Sequence, residues 1–219
     1  MKTAPEKILV IDVGGTNLKI RATGTALVKV PSGPTMTAAQ MVTVVKKVSA
    51  SWKFDAVSIG YPGPVKDNQP LLEPHNLSAG WVKFDFKKAF GRPVKIINDA
   101  AMQALGSHIG GRTLFLGLGT GLGSALVIDG SVLPLELAHL PYKKNRSYEE
   151  YLGDAARKRL GKKKWLHHVA EVISLLKAAL LADRVVLGGG NVRHIKKFAP
   201  GVEAGKNANA FIGGQRLWK

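Results

Sequence analysis

Two stretches roughly a hundred residues apart share one pattern, and it restricts the fold more than any other feature: ILVIDVGGTNLKIRATG from Ile8 and TLFLGLGTGLGSALVIDG from Thr113. Each is an apolar run, a glycine turn and a second apolar run. A dinucleotide-binding fingerprint needs a helix after its glycines. Here the second turn leads into Ala125–Ile128 and then Asp129-Gly130, a strand closing on a hairpin signal. The dinucleotide reading is therefore disfavoured. Two such hairpins predict two related halves facing one another across a cleft. Taken singly, each turn is an ordinary tight hairpin or a phosphate clamp. Glycine N–H groups unobstructed by Cβ atoms converge on phosphate oxygens, with a Thr hydroxyl as a further donor, and the pairing of two such turns favours phosphate handling.

Between and after the hairpins, strand-like and helix-like segments alternate, which predicts the α/β class. TMTAAQMVTVVKKVSASW has apolar Met41, Val44, Val45 and Val48 at helical spacing. FDAVSIGYPGPV reads as a strand ending in a Pro/Gly loop. Val94–Ile97 reads as a strand stopping at Asn98-Asp99, where a helix begins. Ser147 and Glu150 form a capping box predicted to open a helix through about Leu160. KKKWLHHVAEVISLLKAALLA predicts a longer amphipathic helix, RVVLGGGN a strand with glycines before another helix start, and NANAFIGGQRLW a closing helix.

The 219 residues suffice for one large domain or two small lobes with real cores, and 45% hydrophobic against 21% charged residues predicts a globular protein. No cysteine is present, which excludes disulfides and thiolate metal sites. No apolar run suits a signal peptide or a membrane span, so a cytoplasmic protein is expected. The net charge is +17 and uneven: residues 140–219 carry 17 Lys and Arg against 6 Asp and Glu, residues 1–139 carry 15 against 9. RKRLGKKKW (Arg157–Trp165), YKKNR (Tyr142–Arg146) and RHIKK (Arg193–Lys197) are the densest stretches. Such a field attracts polyanions, whether nucleic acid, anionic membrane or a phosphate polymer, or is simply a solvated basic surface.

Asn98-Asp99 stands where open α/β sheets bind ligands. A carboxylate there accepts a proton from a substrate hydroxyl, or the pair merely caps the helix. Asp12 occupies the matching place before the first glycine turn, either orienting a metal-bound water or the attacking hydroxyl, or capping the turn. Glu136 and His139 lie three apart among apolar neighbours, as polar groups of an interior stretch. They suit adjacent sugar hydroxyls or a structural Glu–His hydrogen bond. His167 and His168 have no carboxylate or Cys at ligand spacing and read as surface or packing residues. Asn76 and Trp81 in NLSAGW are turn and core, or line a sugar site.

Together these motifs resemble the ROK family of sugar kinases, within the actin-like, ribonuclease-H-like ATPase superfamily. IDVGGTNLKI, GYPGPV, NLSAGW, IINDAAMQALG, LGLGTGLGSALVIDG, ELAH and VVLGGGN occur in family order over nearly the whole chain. Within the family the chain is most similar to the polyphosphate glucokinases. The resemblance implies a two-lobed actin-like α/β fold with a cleft between the lobes: residues 1–98 the N-terminal lobe, 99–205 the C-terminal lobe, and a final helix at about 206–219 returning to the first. It implies that Asp99 takes the proton of a hexose 6-hydroxyl, glucose above all. Asn98, Glu136, His139, Glu149, Pro62, Gly63 and Asn76 would contact the sugar. Asp12, Gly14, Gly15, Thr16, Lys19, Gly119, Thr120 and Gly121 would hold the donor phosphates, and Gly188, Gly189 and Gly190 the nucleotide side. Mg²⁺ would lie near Asp12, held through water, with polyphosphate or ATP as donor.

The chain departs from the family in lacking its cysteine-rich zinc motif, so no zinc site is expected, in having Ala138 where Gly is usual, and in being short after GGGN. The resemblance leaves open an ATP-only kinase for another sugar and a non-catalytic regulator binding sugar or polyanions. Family repressors carry a helix-turn-helix domain first, and here the DVGGT turn begins at residue 12, so specific nucleic-acid binding is not expected. Homodimers are common in the resembled family.

Overall fold

The computed structural model describes residues 5–206 and 208–219. The strands are β1 (Ile8–Val13), β2 (Asn17–Ala22), β3 (Val28–Pro31), β4 (Ala56–Tyr61), β5 (Val65–Lys66), β6 (Gln69–Pro70), β7 (Val94–Asn98), β8 (Arg112–Leu118), β9 (Leu122–Ile128), β10 (Ser131–Leu135), β11 (Arg184–Gly188) and β12 (Val202–Ala204). The helices are α1 (Ala38–Val48), α2 (Phe86–Phe90), α3 (Asp99–Ser107), α4 (Glu149–Leu152), α5 (Asp154–Leu160), α6 (Lys162–Ala179) and α7 (Asn209–Arg216). The chain forms two compact units, Met1–Met102 with Ala210–Lys219, and Gln103–Asn209, the division falling within α3.

In the first unit the sheet order is β3-β2-β1-β4-β7. The β1–β2–β3 meander is antiparallel, while β1, β4 and β7 run parallel. β1 and β4 are buried along their whole length, as expected for parallel strands covered on both faces. One face packs Leu9, Ile11, Ile59 and Trp81 against α1 and α2. The other packs Ile8, Val10, Ala56 and Met102 against Ala210 and Phe211. β2 alternates instead, with Leu18, Ile20 and Ala22 inward. Trp81 is a core residue: it is fully buried and its Nε1 donates to the Met36 carbonyl.

The second unit repeats this topology, with order β10-β9-β8-β11-β12, an antiparallel β8–β9–β10 meander and parallel β8, β11 and β12. Asp129 and Gly130 join β9 to β10 with φ of 49° and 78°, the left-handed pair that a two-residue hairpin demands. The core of this unit gathers Leu114, Leu116 and Leu187 from the sheet and Trp165, Val169, Val172 and Leu176 from α6. Two helical expectations change. The segment after Ser147 is broken at Gly153, whose backbone is extended (φ −67°, ψ 170°), giving α4 and α5 in place of one helix. After Gly188-Gly189 the chain makes only a 3₁₀ turn over Gly190–His194.

The C-terminal helix α7 belongs to the first unit through specific polar contacts as well as apolar ones. The buried Ser58 hydroxyl donates to the Gly214 carbonyl (2.6 Å), and Trp218 Nε1 donates to the Ser58 hydroxyl (2.8 Å). Gly214 lies so close to the β-branched Val10 that an added Cβ overlaps its methyl groups. Helix propensity favours Ala over Gly by about 0.5–1 kcal/mol, but overpacking a core position costs about 1–3 kcal/mol. Gly214→Ala is therefore expected to lower the urea midpoint without changing the slope of the transition.

Candidate active site

The parallel register of the first unit brings the site residues together. Asp12 is paired with Gly60 across β1–β4, and Tyr61 with Asn98 across β4–β7. The carboxyl ends of three neighbouring strands thus carry Asp12, the Tyr61-Pro62-Gly63 turn and Asn98-Asp99. Gly60 makes the approach of α3 feasible, since a Cβ there would lie 3.5 Å from Asp99 Cα and would collide with the end of the Met102 side chain. Asn98 does cap α3: its Oδ1 accepts from Ala101 N–H (3.1 Å), and its Nδ2 donates to the Gly63 carbonyl (3.2 Å). The capping role and a ligand role are compatible, because an amide nitrogen carries two hydrogens and only one is used here.

Asp99 Oδ1 accepts from Ala100 N–H (2.7 Å). The acid is half-buried by exposed surface, yet packed protein atoms surround its carboxyl group. Burial first, and then the neighbouring Asp12 charge, push its pKa up to about 7; Lys19 and the backbone N–H groups act in the opposite direction. Asp12 is buried and pairs with Lys19 Nζ at 2.7 Å, across the β1–β2 register that sets the two residues opposite each other.

The first glycine turn is built by close approaches. Gly14 N–H donates to the Asn17 carbonyl (3.1 Å), and a Cβ on Gly14 would lie 2.9 Å from that oxygen. A Cβ on Gly15 would lie 2.8 Å from Asn76 Cβ, so Asn76 packs directly on this turn. Thr16 is exposed at its tip. Sequence reasoning missed Ser32, whose hydroxyl donates to the Gly14 carbonyl (2.6 Å), and Glu73, which accepts from the backbone of Trp81 and Val82. Neither lies in a motif; each acts from another loop.

In the second unit, the β8–β9 turn Gly119-Thr120-Gly121 again presents an exposed threonine. Gly189, at φ 84°, packs so tightly on Leu118 and Gly119 that no side chain fits. Asn191 Nδ2 donates to the Gly119 carbonyl (3.1 Å), and Arg157 bridges Asn191 and Asp154. The last three residues were missed as well: Asp154 and Arg157 are an i,i+3 pair, but no local pattern links them to Asn191 or to the Gly119 turn. Gly188 packs under Phe115, while Gly190 faces open space.

Glu136 and His139 depart from expectation. They are not interior: their side chains are 54% and 76% exposed, at the start and the end of the 3₁₀ turn that follows edge strand β10, 3.7 Å apart. The leucines around them lie along this edge, where Leu133 and Leu140 are exposed too. Glu149 also differs from a residue that only faces a sugar, because its Oε2 accepts the Leu122 N–H at 3.0 Å. His168 Nδ1 lies 3.1 Å from the Tyr142 hydroxyl; His167 is exposed and, contrary to expectation, has a carboxylate at helical spacing, Glu171 at 3.7 Å, and both histidines are packing or surface residues.

Among the described residues no cluster of three or more His, Cys, Asp or Glu could enclose a metal. No described helix is long and apolar enough to cross a membrane.

The sequence profile of the ROK family matches residues 8–134. A polyphosphate glucokinase of Mycobacterium tuberculosis is 25% identical over 215 residues, covering 88% of this chain and 81% of the relative. An inorganic polyphosphate/ATP-glucomannokinase from Arthrobacter sp. strain KM superposes with a TM-score of 0.80 at 24% identity, covering 97% of each chain. A ROK family glucokinase from Streptomyces griseus, solved with glucose and AMPPNP, superposes with a TM-score of 0.78 at 16% identity, covering 97% of this chain and 99% of its own. These likenesses agree with the repeated sheet topology and with the two glycine hairpins, and on the family match the chain belongs to the ROK family.

Proposed function

We propose that the protein is a hexose kinase acting on glucose, as its relatives' names suggest, with Asp99 as the general base. The observation that carries this reading is the Asp99 carboxyl group at the carboxyl end of β7, with a pKa near 7 and Asp12 as its charged neighbour. A base titrating near the working pH both accepts a proton readily and is ionised often enough to do so. In the proposed step the sugar 6-oxygen forms a bond to the terminal phosphorus of the donor. The phosphorus–oxygen bond to the rest of the donor breaks, and the hydroxyl proton passes to Asp99.

Asn98, Pro62, Gly63, Asn76, Glu136, His139 and Glu149 are assigned to the sugar. Gly14, Gly15, Thr16 and Lys19, and Gly119, Thr120 and Gly121, are assigned to donor phosphates. Mg²⁺ associated with Asp12 through water would neutralise charge on those phosphates.

The basic surface supports polyphosphate as donor. Lys158, Arg159, Lys162, Lys163 and Lys164 are exposed on α5 and α6, and Arg193, Lys196 and Lys197 follow the glycine turn. An observation that favours ATP in addition is an apolar cavity of about 410 Å³ between α6 and the 194–199 segment, lined by Leu166, Val169, Leu187 and Phe198 and rimmed by Lys162, Lys196 and Lys197. A coupled assay for hexose 6-phosphate with each donor separates the two. Turnover with ATP and none with polyphosphate overturns the preference for the polymer.

Asp99→Asn is expected to lower kcat about 10²–10⁴-fold while leaving glucose affinity within a few-fold. Turnover at the wild-type rate sinks the assignment of Asp99 as the base, and no hexose 6-phosphate from the unaltered chain with either donor sinks the kinase reading. The raised pKa has a second consequence. Asp99 is held neutral in the folded state up to about pH 7 but ionises near 4 when unfolded, so its ionisation costs stability progressively between these values and fully above them. Asp99→Asn removes that cost and should melt above the wild type at pH 8, with the gap closing towards pH 4. Lys19→Met should move the Asp99 titration, followed by carboxyl carbon NMR on the metal-free protein, to higher pH than in the wild type.

A further inference from the structure

The β8–β9 turn is gripped from two sides by one short stretch of chain. On one side Asp154 N–H donates to the carbonyls of Gly119 (3.1 Å) and Thr120 (3.3 Å). Gly153 lies so close that a Cβ would stand 2.7 Å from the Thr120 oxygen, which explains the helix break there. On the other side Glu149, four residues earlier and one turn of α4 away, holds the Leu122 N–H through Oε2. Gly121 admits this carboxylate, since any side chain at 121 would overlap Oε2. Among the described residues no hydrogen bond or ion pair engages Oε1, and the side chain is half-buried.

A carboxylate is an unexpected group to find on a turn assigned to phosphates, because like charges repel. Its position is explained if the two oxygens serve different purposes. We propose that Glu149 couples the two substrates: Oε2 fixes the shape of the donor turn while Oε1 accepts a hydroxyl of the acceptor sugar. This inference rests on the assignment of Gly119–Gly121 to the donor and of Glu149 to the sugar.

A sugar hydroxyl bound to Oε1 orients the carboxylate so that Oε2 stays on Leu122, and this orders the turn before the donor arrives. Conversely, a donor that orders the turn holds Glu149 ready for the sugar. Linkage requires the two effects to be equal, since each substrate must change the other's affinity by the same factor. The carboxylate also makes the turn less attractive to a phosphate when its charge is not shared with a sugar hydroxyl, which disfavours transfer to water.

The test measures glucose binding calorimetrically to the full chain in the Asp99→Asn background, where turnover is suppressed. Titrations are run alone and with saturating magnesium tripolyphosphate or magnesium AMPPNP. Glucose should bind about fivefold or more tightly with one of these donors present, a factor at the lower end of typical coupling. Adding Glu149→Ala should abolish that factor. Glu149→Gln should retain most of it, because the amide oxygen still accepts the Leu122 N–H, and this variant also controls for a fold weakened by alanine. Coupling undiminished in Glu149→Ala, or the same loss in Glu149→Gln as in Glu149→Ala, overturns the proposal. Absence of coupling with Glu149 intact does so too, while leaving the kinase reading standing. If glucose binds none of the variants and the unaltered chain makes no hexose 6-phosphate with either donor, the kinase reading itself fails and this inference with it.

Discussion

The active-site reading depends on two carboxylates kept close together at the end of a buried sheet. Asp12 and Asp99 come from neighbouring regions of three parallel strands, and the ladder register leaves neither free to move apart. Like charges in such a place cannot both ionise cheaply, so the structure treats them unequally. Asp12 receives Lys19 at 2.7 Å, while burial and the Asp12 charge raise the pKa of Asp99 to about 7 against the opposing pull of backbone N–H groups and Lys19.

Around this pair the protein uses missing side chains as structural elements. Gly60 lets α3 start against the sheet, Gly15 lets Asn76 reach the first turn, and Gly121 and Gly153 let the α4–α5 junction grip the second. In each case a Cβ would occupy space already held by another group. The tight packing explains why polar residues outside the motifs, Ser32, Glu73, Asp154 and Asn191, matter to the shape of the turns. A backbone that approaches so closely must have its carbonyls and N–H groups satisfied by whatever lies next to it.

Much of the architecture was legible in the linear pattern. Hairpins at Gly14-Gly15 and Gly119–Gly121, the Asp129-Gly130 turn, the strand ending at Asn98 and the helix beginning at Asp99 all follow from periodicity and turn chemistry, which are local properties. Reading failed where the partner was distant. Glu136 and His139 sit among leucines, but those leucines border an edge strand and its 3₁₀ turn, so apolar neighbours did not mean burial. The Ser147 capping box is real, with Ser147 N–H donating to Glu150 at 2.8 Å, yet the helix it opens stops after α4 because Gly153 must meet Thr120.

The amino-acid sequence by itself determined the α/β class, the duplicated hairpin and the placement of Asp99 at a strand–helix junction, because each depends on residues a few positions apart. Tertiary structure alone decided that Lys19 pairs with Asp12, that Asp99 titrates near 7, that Glu149 holds Leu122, and that Gly214 and Trp218 close on Ser58. Those outcomes depend on which groups are brought within hydrogen-bonding or Coulombic reach and how much water is excluded from them. Neither quantity is a property of any short stretch of chain.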